Sequence, residues 1–260
     1  MNLKNKNYYT YINNKTTPIV FIHGVGLDRN MWTPQINFFR KYSTLTYDLL
    51  GHGKTPFNKD KIIIEDYTHQ LISLIEDLKI SKLHLVGFSI GSLIAMDFAA
   101  NFNNKLSSLT LIATTYKRNQ KQRQEVIDRV NLAKSNKPIS KLALKRWFTD
   151  EYLEKNPKIY EEFMRILTKE PEEQKNFIKA YELFAHYKDD IEKIKKINTR
   201  TLVMTGSIDP GSTPEMSKNL SSDLKNSQYI EINKGKHLCS IECSDDVNIN
   251  IEKFIINDPN

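Results

Sequence analysis

A serine enclosed by two glycines, between a predicted strand and a predicted helix, constrains the fold of this chain more than any other feature. The segment Gly87–Gly91 reads GFSIG; it follows the apolar run Leu83–Val86 and precedes Ser92–Phe102, whose pattern predicts a helix. A strand that turns sharply into a helix strains the serine backbone, and only small neighbours leave room for such a turn. The Ser89 hydroxyl is then exposed at the strand end, near the helix N-terminus. This arrangement makes Ser89 a candidate nucleophile.

The same alternation of strand and helix extends over most of the chain. Short apolar runs predict strands at Ile19–Ile22, Thr44–Tyr47, Leu83–Val86, Leu109–Ala113, Thr201–Met204 and Gln228–Ile232. Apolar residues recur at helical spacing from Ile64 to Leu78 and in a final helix that holds Val247, Ile251 and Phe254. Strands that alternate with helices form a mostly parallel sheet with helices on both faces. The sequence therefore predicts the α/β class, with a mostly parallel central sheet flanked by helices.

One long segment departs from this pattern. From residue 116 to residue 196 the chain has helical patterning, many charges and aromatic residues, and no convincing strand. An insertion at this point, after a strand, lies where a cover over the strand ends would be placed. We therefore expect residues 1–115 and 197–260 to form the α/β core, and residues 116–196 to form a helical lid (cap) inserted in it.

Two further residues complete a candidate catalytic triad. Asp209 follows the predicted strand Thr201–Met204, and His237 follows the predicted strand Gln228–Ile232, so both lie in loops at strand ends. The chain order of serine, aspartate and histidine recurs where a serine stands on such a turn. A serine hydroxyl needs a neutral imidazole to accept its proton, and a carboxylate orients that imidazole. The pattern predicts Ser89 as nucleophile, His237 as general base and Asp209 as the orienting acid.

The loop after the first predicted strand supplies candidate donors for an oxyanion. His23–Gly26 reads HGVG and follows Ile19–Ile22. In this context the backbone N–H of Val25 and that of Ile90, the residue after the candidate nucleophile, can bind developing negative charge. The alternative is an ordinary glycine-rich turn. Dinucleotide binding is not indicated, because the third glycine of GxGxxG is absent.

The composition is that of a globular chain with a basic net charge. Of the 260 residues, 39% are hydrophobic, and the formal net charge is +7 at pH 7. The lysines are spread along the chain, whereas a nucleic-acid binder would concentrate its charge on one stripe with interleaved aromatic residues. The one loose basic cluster, Lys117–Arg129, is interpreted as a solvated helix face. We expect no nucleic-acid partner and a small-molecule substrate, which a basic surface can collect when that substrate is anionic.

The chain carries no sequence signal for a membrane, a metal or another cofactor. No apolar run approaches the roughly 18 residues of a membrane span, and the first residues lack the apolar core of a secretion signal. We therefore expect a cytoplasmic protein with no membrane partner, acting as a monomer or a homodimer. Cys239 and Cys243 have the spacing of neither a disulfide framework nor a zinc site. No cofactor is expected.

Several of these segments resemble a known family over nearly the full length of the chain. They read FIHGVGLDRNMW, YDLLGHGKTP, HLVGFSIGSLIAMDFA, GSIDPGSTPEM and GKHL. They are similar to the α/β-hydrolase branch that contains 3-oxoadipate enol-lactonases and related carboxylesterases. The segment RWFT at Arg146–Thr149 is similar to a lid motif of the enol-lactonase group. The resemblance implies an α/β-hydrolase fold and cofactor-free hydrolysis of a small ester, lactone or activated amide through an acyl-enzyme on Ser89.

Three segments depart from the family pattern. The usual GHGxS is GHGKT here, at Gly51–Thr55, and the region before Ile19 is short, so one strand of the usual sheet is expected to be missing. The segment Lys179–Asp190 differs from the smaller-residue pattern of enol-lactonases. Hydrolases of acylaminomethylene-succinates are therefore equally plausible relatives.

Two residues of the predicted lid are candidates for substrate binding. Arg146 could pair with a substrate carboxylate, because a guanidinium binds a carboxylate through two parallel hydrogen bonds; the alternative is an exposed helix arginine. Trp147 could line a pocket or belong to the lid core. The same alternatives apply to Phe148, Phe163, Phe177, Tyr181 and Phe184, and His186 is a further pocket candidate.

Two other functions stay open at this stage. Hydrolysis of a C–C bond in a dienoic diketone would use the same triad on the same fold. A ligand-binding receptor could retain the fold with vestigial turnover, since fold alone does not set function. Epoxide and haloalkane hydrolysis are excluded, because both need a carboxylate nucleophile where Ser89 stands.

Overall fold

Strands and helices alternate through the molecule. The structure, a computed structural model, describes residues 7–135 and 140–256. Its strands are β1 (Tyr9–Ile12), β2 (Ile19–Ile22), β3 (Thr44–Tyr47), β4 (Leu83–Phe88), β5 (Leu106–Ile112), β6 (Thr201–Gly206) and β7 (Ser227–Ile232). Its α-helices are α1 (Thr33–Phe38), α2 (Ile64–Asp77), α3 (Ile90–Phe102), α4 (Gln120–Lys134), α5 (Ser140–Trp147), α6 (Asp150–Lys155), α7 (Pro157–Leu167), α8 (Pro171–His186), α9 (Ile191–Ile194), α10 (Pro214–Asp223), α11 (Cys239–Glu242) and α12 (Ser244–Ile256). Short 3₁₀ helices cover Arg29–Trp32 and Asn103–Lys105.

The strands of the described residues form one sheet. Their order is β1-β3-β2-β4-β5-β6-β7, and every neighbouring pair is parallel except β1 with β3. β2, β3, β4 and β6 are buried along their whole length. Burial along the whole strand is typical of a parallel sheet that is covered on both faces. The predicted α/β class is confirmed.

Alternate side chains of the central strands enter opposite halves of the core. In β2, Val20 and Ile22 pack in the half that contains α2, whereas Ile19 and Phe21 pack in the half that contains α12. Successive side chains of a strand point to opposite faces, so helices are needed on both. The carboxyl ends of the parallel strands stay free of these layers, and the loops that follow them can form a site.

The strands β4, β5, β6 and β7 differ by a few residues from their predicted bounds, and two further differences concern the sheet edge and the Ser89 turn. β1 escapes the sequence analysis, because three of its four residues are exposed and it pairs only at the sheet edge, antiparallel to β3. It is the one strand before Ile19 in the described part of the chain. α3 begins at Ile90 rather than near Ser92, because Ser89 is already its N-terminal cap residue.

A helical segment separates β5 from β6. Helices α4 to α9 occupy it, and no strand lies between Ile112 and Thr201 in the described residues of this segment. The position agrees with the predicted insertion; its division from the core as a separate lid stays a prediction. None of the helices within residues 7–135 and 140–256 combines the length and the apolar character that crossing a membrane requires.

Candidate active site

The turn at Ser89 has a strained backbone. Ser89 joins β4 to α3 with φ 55° and ψ −118°, a conformation that residues other than glycine rarely adopt. A Cβ on Gly91 would lie 2.4 Å from the carbonyl oxygen of Ile22, and a Cβ on Gly87 would lie 2.4 Å from the carbonyl oxygen of Gly91. No side-chain rotation could relieve these backbone contacts. The two glycines therefore let strand, turn and helix approach closely enough to hold Ser89 at the end of β4.

His237 lies between Ser89 and Asp209. Its Nδ1 is 2.7 Å from Asp209 Oδ2, and its Nε2 is 3.3 Å from Ser89 Oγ. An ionised carboxylate only accepts hydrogen bonds, so Nδ1 carries the proton and Nε2 is left to accept one from the serine hydroxyl. The Nε2–Oγ contact is a long hydrogen bond of the kind that tightens when a substrate binds. The structure thus brings the three predicted residues together.

The Asp209 carboxylate is fixed from its other side by backbone groups. Its Oδ1 accepts hydrogen bonds from the N–H of Gly211 at 2.8 Å and of Ser212 at 3.0 Å. The side chain is fully buried, and these bonds offset part of the cost of burying its charge. Asp209 follows β6 and His237 follows β7, which are parallel neighbours in the sheet. Sheet topology therefore sets the distance between the two residues.

The loop after β2 lies against the Ser89 turn. A Cβ on Gly24 would lie 3.5 Å from Ser89 Cβ and 2.8 Å from the ring of Phe88. The backbone N–H groups of Val25 and Ile90 donate to no other group in residues 7–135 and 140–256, and Val25 lines the cavity at Ser89. Both N–H groups are thus available to a bound oxyanion, and that role stays a prediction.

The His23 side chain forms hydrogen bonds that stabilise this loop. Its Nδ1 is 2.8 Å from the carbonyl oxygen of Gly24, and its Nε2 accepts a hydrogen bond of 2.9 Å from the N–H of Leu49. Burial lowers the pKa of His23 below its ordinary value of 6.5, and it lowers the pKa of the adjacent His52 well below that value. Both imidazoles are therefore neutral near pH 7.

A cavity of about 70 Å³ opens at Ser89, with a largely apolar wall. The residues that line it from the α/β core are Val25, Phe88, Ser89, Thr115, Asp209, Gly211, Ser212 and His237. Those that line it from the helical segment are Val126, Arg129, Leu142, Ala143, Arg146, Trp147, Leu167, Phe177, Tyr181 and Phe184. The helical segment therefore covers the candidate triad. Arg146 and Trp147, both singled out in the sequence, lie in the cavity wall.

Arg129 is a cavity residue that the sequence analysis does not identify. It lies in α4, and its Nε donates a hydrogen bond of 3.1 Å to the hydroxyl of Tyr181. The interpretation of Lys117–Arg129 as a solvated helix face is wrong here, and also at Arg118, which is 6% exposed and donates to two backbone carbonyl groups. Helical periodicity predicts which face of α4 carries Arg129, but it does not predict which residues pack against that face.

Arg129 and Arg146 place two positive charges in this apolar cavity. Burial lowers the pKa of Arg146 below its usual value, an effect that the nearby Tyr181 hydroxyl opposes and the charge of Arg129 reinforces. In the part of the chain that the structure describes, neither guanidinium forms an ion pair with a carboxylate. Both arginine side chains are half-buried. The Asp209 carboxylate, which also lines the cavity, is bonded to His237, Gly211 and Ser212 instead. Charges with restricted access to water are normally paired. The arrangement is therefore suited to receive an anion.

The remaining pocket candidates divide into two groups. Phe177, Tyr181 and Phe184 line the cavity. Phe148 and Phe163 do not; their rings meet edge to face, with centroids 5.2 Å apart, in the interior of the helical segment. The prediction for His186 is wrong, because its side chain is exposed at the end of α8 and is absent from the cavity wall.

The two cysteines are free thiols. Burial raises the pKa of Cys239 well above its usual value and raises that of Cys243 to about 11, so both are protonated at neutral pH. Within the described residues, no group of His, Cys, Asp and Glu side chains is arranged to hold a metal ion.

Known proteins match this chain in sequence over nearly its whole length. The family model described as alpha/beta hydrolase fold matches residues 17–242. A hydrolase from Acinetobacter baylyi, (E)-2-((N-methylformamido)methylene)succinate hydrolase, is 28% identical over 247 residues, which cover 93% of this chain and 91% of the relative. The 3-oxoadipate enol-lactonase 2 of the same organism is 25% identical over 237 residues, which cover 91% of this chain and 87% of the enol-lactonase.

A solved structure shows the same fold. The enol-lactonase from Burkholderia xenovorans superposes with a TM-score of 0.87 and covers 96% of each chain. Its sequence is 23% identical, so this likeness concerns the arrangement of strands and helices and leaves the substrate undetermined.

Proposed function

Since the chain belongs to the α/β-hydrolase fold family, we propose that it is a serine hydrolase of small anionic substrates. The bond it cleaves is that of a carboxylic ester, a lactone or an activated amide. The proposal uses only groups of this chain and one water molecule. It makes Ser89 the residue that carries the acyl group between the two halves of the reaction.

One observation carries this proposal. The Ser89 hydroxyl, held on a strained turn, lies 3.3 Å from an imidazole nitrogen whose partner nitrogen lies 2.7 Å from a buried carboxylate. A serine hydroxyl is a weak nucleophile until an adjacent base removes its proton, and His237 stands in that position. The Asp209 carboxylate then stabilises the imidazolium that forms.

In the first half of the reaction, Ser89 Oγ attacks the carbonyl carbon while His237 Nε2 takes the hydroxyl proton. The carbonyl oxygen becomes negatively charged, and the N–H groups of Val25 and Ile90 are placed to donate to it. When the tetrahedral intermediate collapses, the bond to the leaving group breaks and His237 returns its proton to that group. An acyl-Ser89 ester results; the alcohol, enol or amine is released from an ester or amide, whereas in a lactone it stays attached to the acyl chain.

In the second half, water replaces the leaving group. His237 accepts a proton from this water, whose oxygen bonds to the acyl carbon, and a second oxyanion forms in the same place. The bond between Ser89 Oγ and the acyl carbon then breaks, Ser89 regains its proton from His237, and the carboxylic acid leaves. Overall, one water is consumed and one acyl bond is cleaved.

The charge of the cavity supports an anionic substrate. Arg129 and Arg146 enter the same cavity as Ser89 and form no ion pair with a carboxylate among the described residues. A carboxylate on the substrate would supply the missing partner through charge-assisted hydrogen bonds. The names of the Acinetobacter relatives also point this way, because a methylene-succinate and a 3-oxoadipate enol-lactone both carry carboxylate groups.

The test of this function compares the protein with its Ser89→Ala variant on a small panel. The panel contains p-nitrophenyl butyrate, 3-oxoadipate enol-lactone and an acylaminomethylene-succinate. We expect at least one anionic member to exceed p-nitrophenyl butyrate in kcat/KM by about a hundredfold, as charge-assisted recognition would give. In Ser89→Ala, kcat should fall by roughly a thousandfold or more.

Ser222→Ala is the matched control, because Ser222 lies exposed on α10 and bonds only to the Lys218 carbonyl in the described structure. It should behave as wild type. Retention of more than about a tenth of the activity by Ser89→Ala would refute the proposed nucleophile. If the protein hydrolyses only p-nitrophenyl butyrate of the panel, Ser89 remains the proposed nucleophile, but the proposal of an anionic substrate is refuted.

A further inference from the structure

The backbone on both sides of His237 is connected to the helical segment, directly on one side and through Glu242 of α11 on the other. On one side, the N–H of Leu238 donates a hydrogen bond of 3.0 Å to the carbonyl oxygen of Trp147, the last residue of α5. On the other side, the N–H of Lys236 donates to Glu242 Oε2 at 3.3 Å. His237, the proposed general base, therefore lies between two residues whose backbone N–H groups are hydrogen-bonded to groups outside the sheet.

Glu242 continues the second of these connections into the helical segment. Its other oxygen, Oε1, accepts a hydrogen bond of 2.9 Å from the N–H of Thr149 and a second, short bond from the Thr149 hydroxyl. Thr149 is the N-cap of α6, and its hydroxyl also accepts from the N–H of Tyr152 at 3.2 Å. A single carboxylate therefore joins the His237 loop to the junction between α5 and α6.

A third bond reinforces this connection. Lys236 Nζ donates to the carbonyl oxygen of Lys145, also in α5, at 2.8 Å. The same helix presents Arg146 and Trp147 to the cavity. A group that binds Arg146 is therefore one peptide unit from a carbonyl that is hydrogen-bonded to the residue after His237.

We propose that Glu242 is a positioning residue, which transmits the seating of a substrate anion on Arg146 to the position of His237. The inference rests on the proposed hydrolase function. Substrate bound at Arg146 draws the α5–α6 junction towards the cavity. Through Glu242 and the Trp147 carbonyl, the His237 loop moves with it, and the 3.3 Å contact between Nε2 and Ser89 Oγ shortens.

This coupling has a kinetic consequence that a merely structural contact lacks. Binding energy that improves the alignment of reacting groups appears in kcat, whereas binding energy that holds substrate and transition state equally appears in KM. Small misalignments of a catalytic base can cost up to about a hundredfold in rate. Loss of Glu242 should therefore reduce kcat, and it should do so chiefly for substrates that engage Arg146.

The experiment measures kcat and KM of wild type and Glu242→Gln with two substrates. One is the fastest anionic member of the panel, and the other is neutral p-nitrophenyl butyrate. Gln keeps the size of the side chain but cannot accept at both of its terminal groups. We expect kcat for the anion to fall about tenfold more than kcat for the neutral ester, with KM for the anion changed less than about threefold.

Three controls accompany this variant. Thr149→Ser retains the hydroxyl that bonds Glu242 and should resemble wild type, whereas Thr149→Val should resemble Glu242→Gln. Glu252, on α12 and outside the cavity wall, accepts a hydrogen bond from the hydroxyl of Tyr42, and Glu252→Gln should change kcat and KM for neither substrate.

The outcomes separate this inference from the proposed function. Equal losses for both substrates, a change confined to KM, or no change at all would each overturn the coupling while Ser89-dependent turnover persists. If wild type shows no Ser89-dependent turnover, the proposed function fails and the coupling fails with it. The supporting result is a selective loss of kcat for the anion in Glu242→Gln and Thr149→Val that is absent in Thr149→Ser and Glu252→Gln.

Discussion

At the scale of single residues, the cavity is distinguished by two guanidinium groups that form no ion pair with a carboxylate of the described residues. Arg129 and Arg146 reach it from different helices, α4 and α5, and both lie beside Tyr181. The planar guanidinium group suits bidentate binding of a carboxylate, which the ammonium of lysine does not. The two side chains together could bind a dianion, or one carboxylate from two directions.

We expect each arginine to act on anionic substrates selectively. Arg146→Gln and Arg129→Gln should each lower kcat/KM for the anionic panel substrate by roughly 10- to 100-fold, the range for a lost charge-assisted hydrogen bond. The value for p-nitrophenyl butyrate should stay within about threefold, since that ester offers no charge to bind. Steady-state kinetics with both substrates measures the difference.

Arg165→Gln provides the comparison for a general effect of charge. Arg165 is exposed in the last turn of α7, within the same helical segment, and does not line the cavity. Its replacement should leave both kcat/KM values unchanged. A loss as large as that of Arg146→Gln would assign the effect to long-range attraction, which salt would also abolish.

At the scale of elements, α9 is attached to the core by one buried carboxylate. Asp97 in α3, with its side chain 3% exposed, accepts from the Thr68 hydroxyl at 2.6 Å and forms an ion pair with Lys193 of α9. Lys193 also lies 3.6 Å from Glu65 in α2. This contact fixes the C-terminal end of the helical segment before the chain enters β6.

Removal of Lys193 should therefore be costly. Lys193→Met leaves the Asp97 carboxylate buried without its cation, and we expect the free energy of unfolding to fall by about 3 kcal/mol. The double variant Lys193→Met, Asp97→Asn should recover part of this loss, because the buried charge is gone. Urea denaturation followed by circular dichroism measures all three proteins.

Lys195→Met, at the C-cap of α9, is the control. Lys195 pairs with Glu192 at the surface, with its side chain 57% exposed, and such pairs contribute at most about 1 kcal/mol. If Lys193→Met lowers the free energy of unfolding no more than Lys195→Met does, the Asp97–Lys193 ion pair does not hold α9 on the core, and its apolar contacts do.

The same scale shows how far the sequence predicts this molecule. The strands β2 and β3 are predicted with their observed bounds, because β2 reads IVFI, an uninterrupted apolar run, and β3 reads TLTY, which combines β-branched and aromatic residues. β1 is not, because an exposed edge strand leaves no such run. The mutual approach of Ser89, Asp209 and His237 follows from their places after β4, β6 and β7. Arg129 and Glu242 cannot be found this way, since their partners lie in separate helices whose docking angles the sequence does not specify.

At the scale of the whole molecule, two buried imidazoles link folding to pH. Burial lowers the pKa of both His23 and His52, and the positive charge of Lys169 lowers both further. In the unfolded chain each would titrate at about 6.5. Between that pH and the lower folded pKa, the unfolded state binds more protons than the native state, so stability rises with pH and falls as the solution is acidified.

We therefore expect the free energy of unfolding to decrease below about pH 6.5, by about 1.4 kcal/mol per pH unit for each of the two histidines. His52→Asn should remove one of these contributions and flatten the dependence. Urea denaturation at intervals from pH 7 to pH 5 gives the slope.

His186→Gln tests whether any histidine has this effect. His186 is exposed on α8, and its replacement should leave the slope as in wild type. A His52→Asn protein with the wild-type slope would show that the acid sensitivity has another origin.

The helices of the cavity wall differ in whether they are bonded to the His237 loop, and this difference affects how substrate preference can change among relatives. α5 contributes to the wall and is also hydrogen-bonded to the His237 loop, whereas α4 and α8, which contribute to the wall too, pack against each other. Substitutions that accumulate in α4 and α8 can alter the size and charge of the cavity while His237 stays aligned. A substitution in α5 changes substrate preference and turnover together, so it is subject to selection on both properties. Relatives of this chain should accordingly differ more in α4 and α8 than in α5 where they act on different acids.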